Sequence, residues 1–294
     1  MPEQRTTKPR RKHFNETTDN IFFLETAGST CINARQSCAI ESAALRNPAT
    51  NIVFLTAKRM TWRCKLLDVL TQIPNFQQHS APFEDLFRGT VLESWHENGP
   101  WRRSPFRVNH LSDALRLVVL WKFGGAYADL DVVVLEDMST LKNSVARELF
   151  PAVGNTVMVF DKGHPFLLDC MKEFSVSYKP TLWAYNGPRL LERVLLKYCS
   201  ETALRSEPYV NCSGVTVLPD KAFYPVRQTE WEALFRPEDL SRVLNATYGS
   251  YTVHFWNSSS KTKRLSIGLS SAYDVLSRFS CPATYRFAKH QGQV

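Results

Sequence analysis

Two aspartates one residue apart, Asp129 and Asp131, open the apolar run Val132–Val134 in the stretch "GGAYADLDVVVL". Residues i and i+2 of an extended chain point to one face. Both carboxylates can therefore aim at one point while Leu130 turns toward the core. Carboxylates gathered beside a buried strand lose water and repel each other, which is costly unless something pairs with them. A hard divalent cation, Mn2+ or Mg2+, removes that cost and keeps coordination positions for water and phosphate oxygens. The spacing alone is a weak signal, because Asp-x-Asp is also common in solvated turns.

The residues upstream sharpen it. Asp113 and Arg116 stand three apart, on one face of a helix. They read either as a surface ion pair or as a clamp on a sugar donor, with Arg116 countering negative charge and Asp113 accepting hydroxyl hydrogen bonds. Gly124 and Gly125 let the chain turn sharply between that helix and the aspartates.

The elements that must position these groups alternate in type. "NIFFLET" (20–26) and "NIVFLTA" (51–57) read as short buried strands. Between them "NARQSCAIESAALRN" (33–47) reads as a helix ended by Asn47-Pro48. "RCKLLDVLTQI" (63–73) has helical spacing, residues 74–110 read as loops and short helices, and "HLSDALRLVVLWKF" is a helix running into the strand "ADLDVVVL". Further strands are expected at "TVMVFD" (156–161) and "GVTVLP" (214–219), and helices at 165–178 and 188–200. A last strand ends in "YTVHFWNSSSKTKRL". This order argues for α/β architecture with a mostly parallel central sheet flanked by helices. Strands this apolar expect cover on both faces. Open sheets of this kind bind ligands at the carboxyl ends of their strands. The expected organisation is a basic, disordered stem-like segment (1–20), one domain (21–285) and a tail (286–294).

The chain has 294 residues, 44% of them hydrophobic, enough for a large core. Its net charge of +8 favours anionic partners such as nucleotides, nucleic acid or acidic lipid without choosing among them. Lys and Arg are spread along the chain with no nucleic-acid motif, which argues against a nucleic-acid binder. No run is long and apolar enough to expect a membrane span. The seven cysteines include no C-x-x-C pair, so a zinc ribbon is not expected. They allow up to three disulfides and one spare thiol. Sequons at Asn15, Asn211, Asn245 and Asn257 tilt mildly toward a secretory lumen.

The block "SDALRLVVLWKFGGAYADLDVVVL" resembles the S-D-x-x-R…G-G-x-Y-x-D-x-D signature of the alpha-1,4-glycosyltransferase family that contains lactosylceramide 4-alpha-galactosyltransferase and alpha-1,4-N-acetylglucosaminyltransferase. "FFLET", "RQSCAIESAALRNP", "NGP" (186–188) and "VHFWN" (253–257) follow in that family's order, so the resemblance spans most of the chain. It implies a GT-A-like nucleotide-diphospho-sugar transferase fold and transfer from a UDP-sugar with retention. On that reading Asp129 and Asp131 hold Mn2+ against the diphosphate, and His254, otherwise a packed core histidine, becomes a third ligand. Asp113, Arg116 and Tyr127 belong to the donor site. Asn186 and Gly187 lie near the sugar, with Gly187-Pro188 also a plain helix entry. Phe23, Leu24 and Glu25 neighbour the uridine. Lys261 either closes over the diphosphate or sits in a solvated basic loop.

The same resemblance implies a hexosyltransferase moving galactose or N-acetylgalactosamine in alpha-1,4 linkage onto a glycosphingolipid at a membrane surface. The nearest alternatives are N-acetylglucosamine transfer to mucin-type glycans and a catalytically silent sugar- or nucleotide-binding homologue. No carboxylate beyond the aspartate pair stands out as a nucleophile, which favours front-face attack over a covalent intermediate. Members of this family work in the Golgi lumen behind a membrane anchor that this chain does not display.

Overall fold

The computed structural model describes residues 19–61, 63–263, 268 and 270–291. The basic cluster Arg10, Arg11 and Lys12 and the sequon at Asn15 lie outside the described residues. So does most of the expected N-terminal segment.

The fold starts from β1 (Asn20–Glu25) and β2 (Asn51–Thr56), paired in parallel with Ile21 opposite Ile52 and Phe23 opposite Phe54. Alternation sorts their side chains between two cores. Ile21, Phe23, Ile52 and Phe54 pack on one face, and Phe22, Leu24, Val53 and Leu55 on the other. Each such ring or branched chain contributes about 1.5–3 kcal/mol on full burial, so both faces need cover. The helix Ala34–Arg46 packs into the first core. Asn33 and Gln36 form a capping box at its start, and Asn47 caps its end. The helix Arg107–Phe123 packs into the second.

The remaining strands are β3 (Phe76–Ser80), β4 (Gly125–Ala128), β5 (Val132–Val134), β6 (Ser144–Leu149), β7 (Ala152–Val153), β8 (Val157–Phe160), β9 (Val210–Cys212), β10 (Val215–Leu218) and β11 (Thr252–His254). The large sheet runs β3-β2-β1-β4-β8-β6-β10-β9, with β7 paired to β6. It is parallel from β3 to β4, and β8 and β9 enter antiparallel. The result is a mixed, mostly parallel α/β sheet flanked by helices. Gly125 sits at positive φ against the Asn20 carbonyl, where a Cβ would overlap it. The turn out of the helix into β4 therefore needs glycine.

Three expectations change. "ADLDVVVL" is not one strand: β4 ends at Ala128, Asp129–Asp131 form a turn, and β5 leaves the large sheet to pair antiparallel with β11. The turn is closed by the Val132 N–H to Asp129 O bond, 3.1 Å. Residues 76–80, expected within loops, form the edge strand β3. The expected tail begins inside a helix, Pro282–Gln291, whose Ala288 is buried.

Disulfides join Cys31 to Cys64, Cys38 to Cys281 and Cys199 to Cys212, leaving Cys170 as a buried thiol. No helix of the described residues is long and apolar enough to cross a membrane.

Candidate active site

The break between β4 and β5 brings two sheets to one point. β4 delivers Asp129 from the large sheet, and the β5–β11 pair carries Asp131 and His254. The register sets His254 opposite Val132, directly beside Asp131. One ligand atom from each of Asp129, Asp131 and His254 lies within 4.8 Å of the other two. The two aspartates thus converge as expected, but on a turn in place of an extended strand.

Each carboxylate has its own supports. Asp129 Oδ1 accepts from the Tyr127 hydroxyl and lies 3.2 Å from Arg116 Nη2. Asp131 Oδ2 lies 3.0 Å from His254 Nε2 and accepts the Asn257 N–H at 2.7 Å. The His254 ring is packed 4.2 Å from the Trp256 ring, and its Nδ1 is buried without a hydrogen-bond partner among the described residues. Trp256 takes a left-handed backbone conformation, φ 52°, and its indole N–H donates to the Val226 carbonyl at 2.9 Å. That kink turns Asn257 back toward Asp131.

The protonation of this cluster is that of a site short of positive charge. Burial raises the Asp129 pKa against the pull of Arg116. Burial also works against the Asp131 anion, but His254 and the Asn257 N–H outweigh it and hold the carboxyl below its ordinary range. Burial opposes the charged imidazole of His254, and Asp131, helped by Asp129, still raises its pKa. Two hard oxygen donors and one imidazole are a donor set that Mn2+ accepts. A cation there would replace the proton that His254 shares with Asp131, so these residues fit a divalent metal.

Asp113 and Arg116 are not a surface pair. Asp113 is 7% exposed and Arg116 is 5% exposed. Arg116 donates from Nη1 to Asn155 O (2.5 Å) and from Nε to Ser112 O (3.2 Å), and its plane stacks 4.4 Å over Tyr127. Its charge is kept despite burial by Asp129, Tyr127 and Asp113. Asp113 lies 3.5 Å from Arg116 and accepts from Asn155 Nδ2 at 2.8 Å, while burial lifts its pKa to about 6. The clamp reading is therefore corrected for Arg116: its donors are spent on protein, and it acts by holding Asp129. Tyr127, 1% exposed, likewise serves Asp129.

Gly187 closes the same network from the helix Pro188–Leu195. A Cβ there would come 2.7 Å from both Asp113 Oδ1 and Asn155 Nδ2. Asn186 does not reach toward a ligand. Its carboxamide accepts from Lys179 N–H at 2.9 Å and donates to Lys179 O at 2.8 Å and to His110 Nε2 at 3.1 Å. It ties the loop before Gly187 shut, and this satisfies its hydrogen-bonding groups.

At the end of β1 the expected nucleobase contacts change. The Phe23 ring is wholly enclosed in the core, because its strand position faces the helix Ala34–Arg46. Leu24 packs in the opposite core. Glu25 is buried, and its carboxylate accepts the N–H groups of Ala27, Gly28 and Ser29 at 3.0 Å each. It shapes the loop after β1. Lys261 is exposed, one turn past Asn257.

One carboxylate escaped the sequence reading. Glu148 stands near the end of β6, and burial raises its pKa with His254, Glu192 and Asp129 as its charged neighbours. Its only sequence signal is a charge on the alternating strand "SVAREL".

Comparison with known proteins agrees with this geometry. Residues 33–150 match the "Glycosyltransferase sugar-binding region containing DXD motif", and residues 159–288 match the "Alpha 1,4-glycosyltransferase conserved region". The chain is 35% identical over 278 residues to lactosylceramide 4-alpha-galactosyltransferase of Mus musculus, covering 92% of this chain and 76% of that protein. It is 29% identical over 276 residues to alpha-1,4-N-acetylglucosaminyltransferase of Homo sapiens, covering 90% and 79%. Among solved structures, the PaToxG glycosyltransferase superposes with a TM-score of 0.51 at 16% identity, over 80% of this chain and 87% of that one. That likeness supports the GT-A fold.

Proposed function

Because this chain belongs to the alpha-1,4-glycosyltransferase family and is a hexosyltransferase, we propose that it moves galactose or N-acetylgalactosamine from a UDP-sugar onto a glycosphingolipid. The linkage formed is alpha-1,4, with retention at the donor carbon and dependence on Mn2+. The observation that carries this reading is the convergence of Asp129, Asp131 and His254 at one point. The likeness to lactosylceramide 4-alpha-galactosyltransferase supports the acceptor class and galactose as donor sugar.

Asp129, Asp131 and His254 would hold the cation. When bound, it supplies Lewis-acid stabilisation of charge on the departing diphosphate. The protein's own work is placement. Arg116 and Tyr127 fix Asp129, and the Asn257 N–H fixes Asp131, so the ligand atoms pay little to reorganise. Gly187 leaves room beside the Asp113–Asn155 pair where a side chain would intrude. With catalysis supplied by positioning and electrostatics, the acceptor hydroxyl attacks from the face the diphosphate leaves, donating its proton toward the departing oxygen.

The test is a screen of UDP-sugars for UDP release with Mn2+ and with excess EDTA, followed by glycolipid acceptors with the active donor. Turnover of UDP-galactose or UDP-N-acetylgalactosamine that EDTA abolishes supports the proposal. Equal turnover in EDTA refutes the metal role. Transfer of N-acetylglucosamine alone would move the chain to the mucin-type reading.

A further inference from the structure

Arg35 is the second residue of the helix Ala34–Arg46, where a cation opposes the helix dipole. Helix stability does not explain it. Nor does solvent, since Arg35 is only 8% exposed. Its guanidinium lies 5.4 and 5.6 Å from the ring centroids of Phe235 and Tyr273, which stack on each other. Among the described residues no carboxylate pairs with it directly. The carboxylate whose charge reaches it is Asp131.

Its hydrogen bonds run to the segment that supports the metal-site edge. Nη1 donates to Ser260 Oγ at 2.8 Å, and Nη2 donates to Lys263 O at 3.0 Å. Ser260 is fully buried and its hydroxyl donates to the Phe255 carbonyl at 2.6 Å. Phe255 N–H in turn donates to Asp131 O at 2.9 Å, and Asn257 N–H donates to Asp131 Oδ2. A chain of bonds therefore runs from Arg35 through Ser260 and Phe255 to the Asp131 backbone, while Asn257, in the same turn, holds the Asp131 carboxylate. His254 is the residue before Phe255.

We propose that Arg35 is a positioning residue for the donor site: its two-pronged grip on Ser260 and Lys263 holds the 255–260 turn in the conformation that aims Asp131 and His254. The inference rests on the reading of that site as a seat for a divalent cation and a nucleoside diphosphate. The planar fork suits two acceptors on one turn, which an ammonium group cannot match.

The experiment measures Mn2+ binding to the purified full chain by electron paramagnetic resonance, alone and with UDP, for the wild type, Arg35→Met, Ser260→Ala and the double variant. Partners of metal ligands typically cost tenfold or more when removed, so each single variant should weaken Mn2+–UDP binding by about tenfold. The double variant should fall no further than the worse single one, because both lie on one path. Turnover at saturating donor and metal should change less than the metal requirement does. A variant whose thermal midpoint drops while its Mn2+–UDP affinity stays within about twofold of wild type marks Arg35 as packing only and overturns the proposal. If Arg35→Met does not fold, Ser260→Ala decides alone, since it removes one hydroxyl and leaves the cation in place. Failure of the wild type to bind Mn2+–UDP removes the proposed function and this inference together, whereas unchanged variants remove only the inference.

Discussion

Arg116 Nη2 lies 3.2 Å from Asp129 Oδ1, and the rest of the guanidinium is taken up by protein: Nη1 by the Asn155 carbonyl, Nε by the Ser112 carbonyl, the plane by Tyr127. These contacts direct Arg116 to fixing Asp129. Arg116→Met should leave Asp113 and Asp129 in buried surroundings without their counter-ion, at a cost of about 3–5 kcal/mol. Calorimetry should show the lowered thermal midpoint, and Mn2+ affinity should fall together with turnover. A variant with wild-type metal affinity and reduced turnover would return Arg116 to the role of a direct sugar contact.

Gly187→Ala tests the close approach beside Asp113. The added methyl would stand 2.7 Å from Asp113 Oδ1 and Asn155 Nδ2, so one of them must shift. Overpacking of this kind costs about 1–3 kcal/mol. Because Asp113 and Asn155 both contact Arg116, the shift should reach Asp129. The expected result is a large loss of turnover with a modest loss of stability. Full activity with an unchanged thermal midpoint would show that the network has slack.

Much of this arrangement was readable from the chain, and the misses have physical causes. "NIFFLE" and "NIVFLT" announce buried parallel strands because their four central apolar residues divide between two cores. β3, "FQQHS", hides because an edge strand needs few apolar side chains: Phe76 is buried, and Gln77, Gln78 and His79 are partly exposed. The run "DLDVVV" reads as continuous, since nothing local reveals that β5 abandons the large sheet for β11, a partner more than a hundred residues away. Arg116 was legible as a functional position but not in its role, because three of its partners are backbone carbonyls or a ring, which no side-chain pattern encodes. Asn186 was legible as a polar group at a helix entry and Glu25 as one at a strand end. That their hydrogen bonds are spent on loops is visible only in three dimensions.

In EDTA, the pair Asp131–His254 should give the protein a pH dependence of known sign. The folded pKa of His254 is raised, so its stabilisation is present below the unfolded imidazole value and is lost as pH rises through the folded one. The folded pKa of Asp131 is lowered, so its stabilisation is present above the unfolded carboxylate value and is lost as pH falls through the folded one. The pair therefore helps most between about pH 4 and pH 6.5. The thermal midpoint of the metal-free protein should decline above that window, and His254→Ala should flatten the decline. Saturating Mn2+ should reverse the trend, since the metal competes with the imidazole proton. A midpoint in EDTA that climbs steadily from pH 6 to 8 in the wild type but not in His254→Ala contradicts the pairing.

The Cys38–Cys281 bridge ties the helix Ala34–Arg46 to the start of the helix Pro282–Gln291, across 243 residues of sequence. The same helix start is held by Glu41, whose carboxylate accepts the Ala283 and Thr284 N–H groups at 2.8 and 2.7 Å. Replacing both cysteines by alanine should cost about 2–5 kcal/mol. The variant should keep its secondary structure by circular dichroism, because the Glu41 contacts remain, and lose thermal stability. No change in the midpoint would place the stability of this junction in Glu41 and in the Ser37–Thr284 hydroxyl pair, 2.8 Å apart.

If the transfer proceeds with retention, as proposed, Glu148 is the residue that separates the two routes to it. It is the carboxyl group beyond the aspartate pair whose charged neighbours include both Asp129 and His254, so a covalent route has it as the natural nucleophile. Its physical state argues otherwise. Burial raises its pKa, His254 pulls against that rise, and Glu192 and Asp129 add repulsion, so the net shift runs against the attacking anion. Front-face attack needs no such group. Glu148→Gln, nearly isosteric, should keep turnover within about tenfold of wild type, against the roughly millionfold loss that follows removal of a true covalent nucleophile. Rapid-quench mass spectrometry with donor alone should find no glycosylated protein. A glycosyl adduct on Glu148, or turnover of the glutamine variant indistinguishable from background, would establish the covalent route instead.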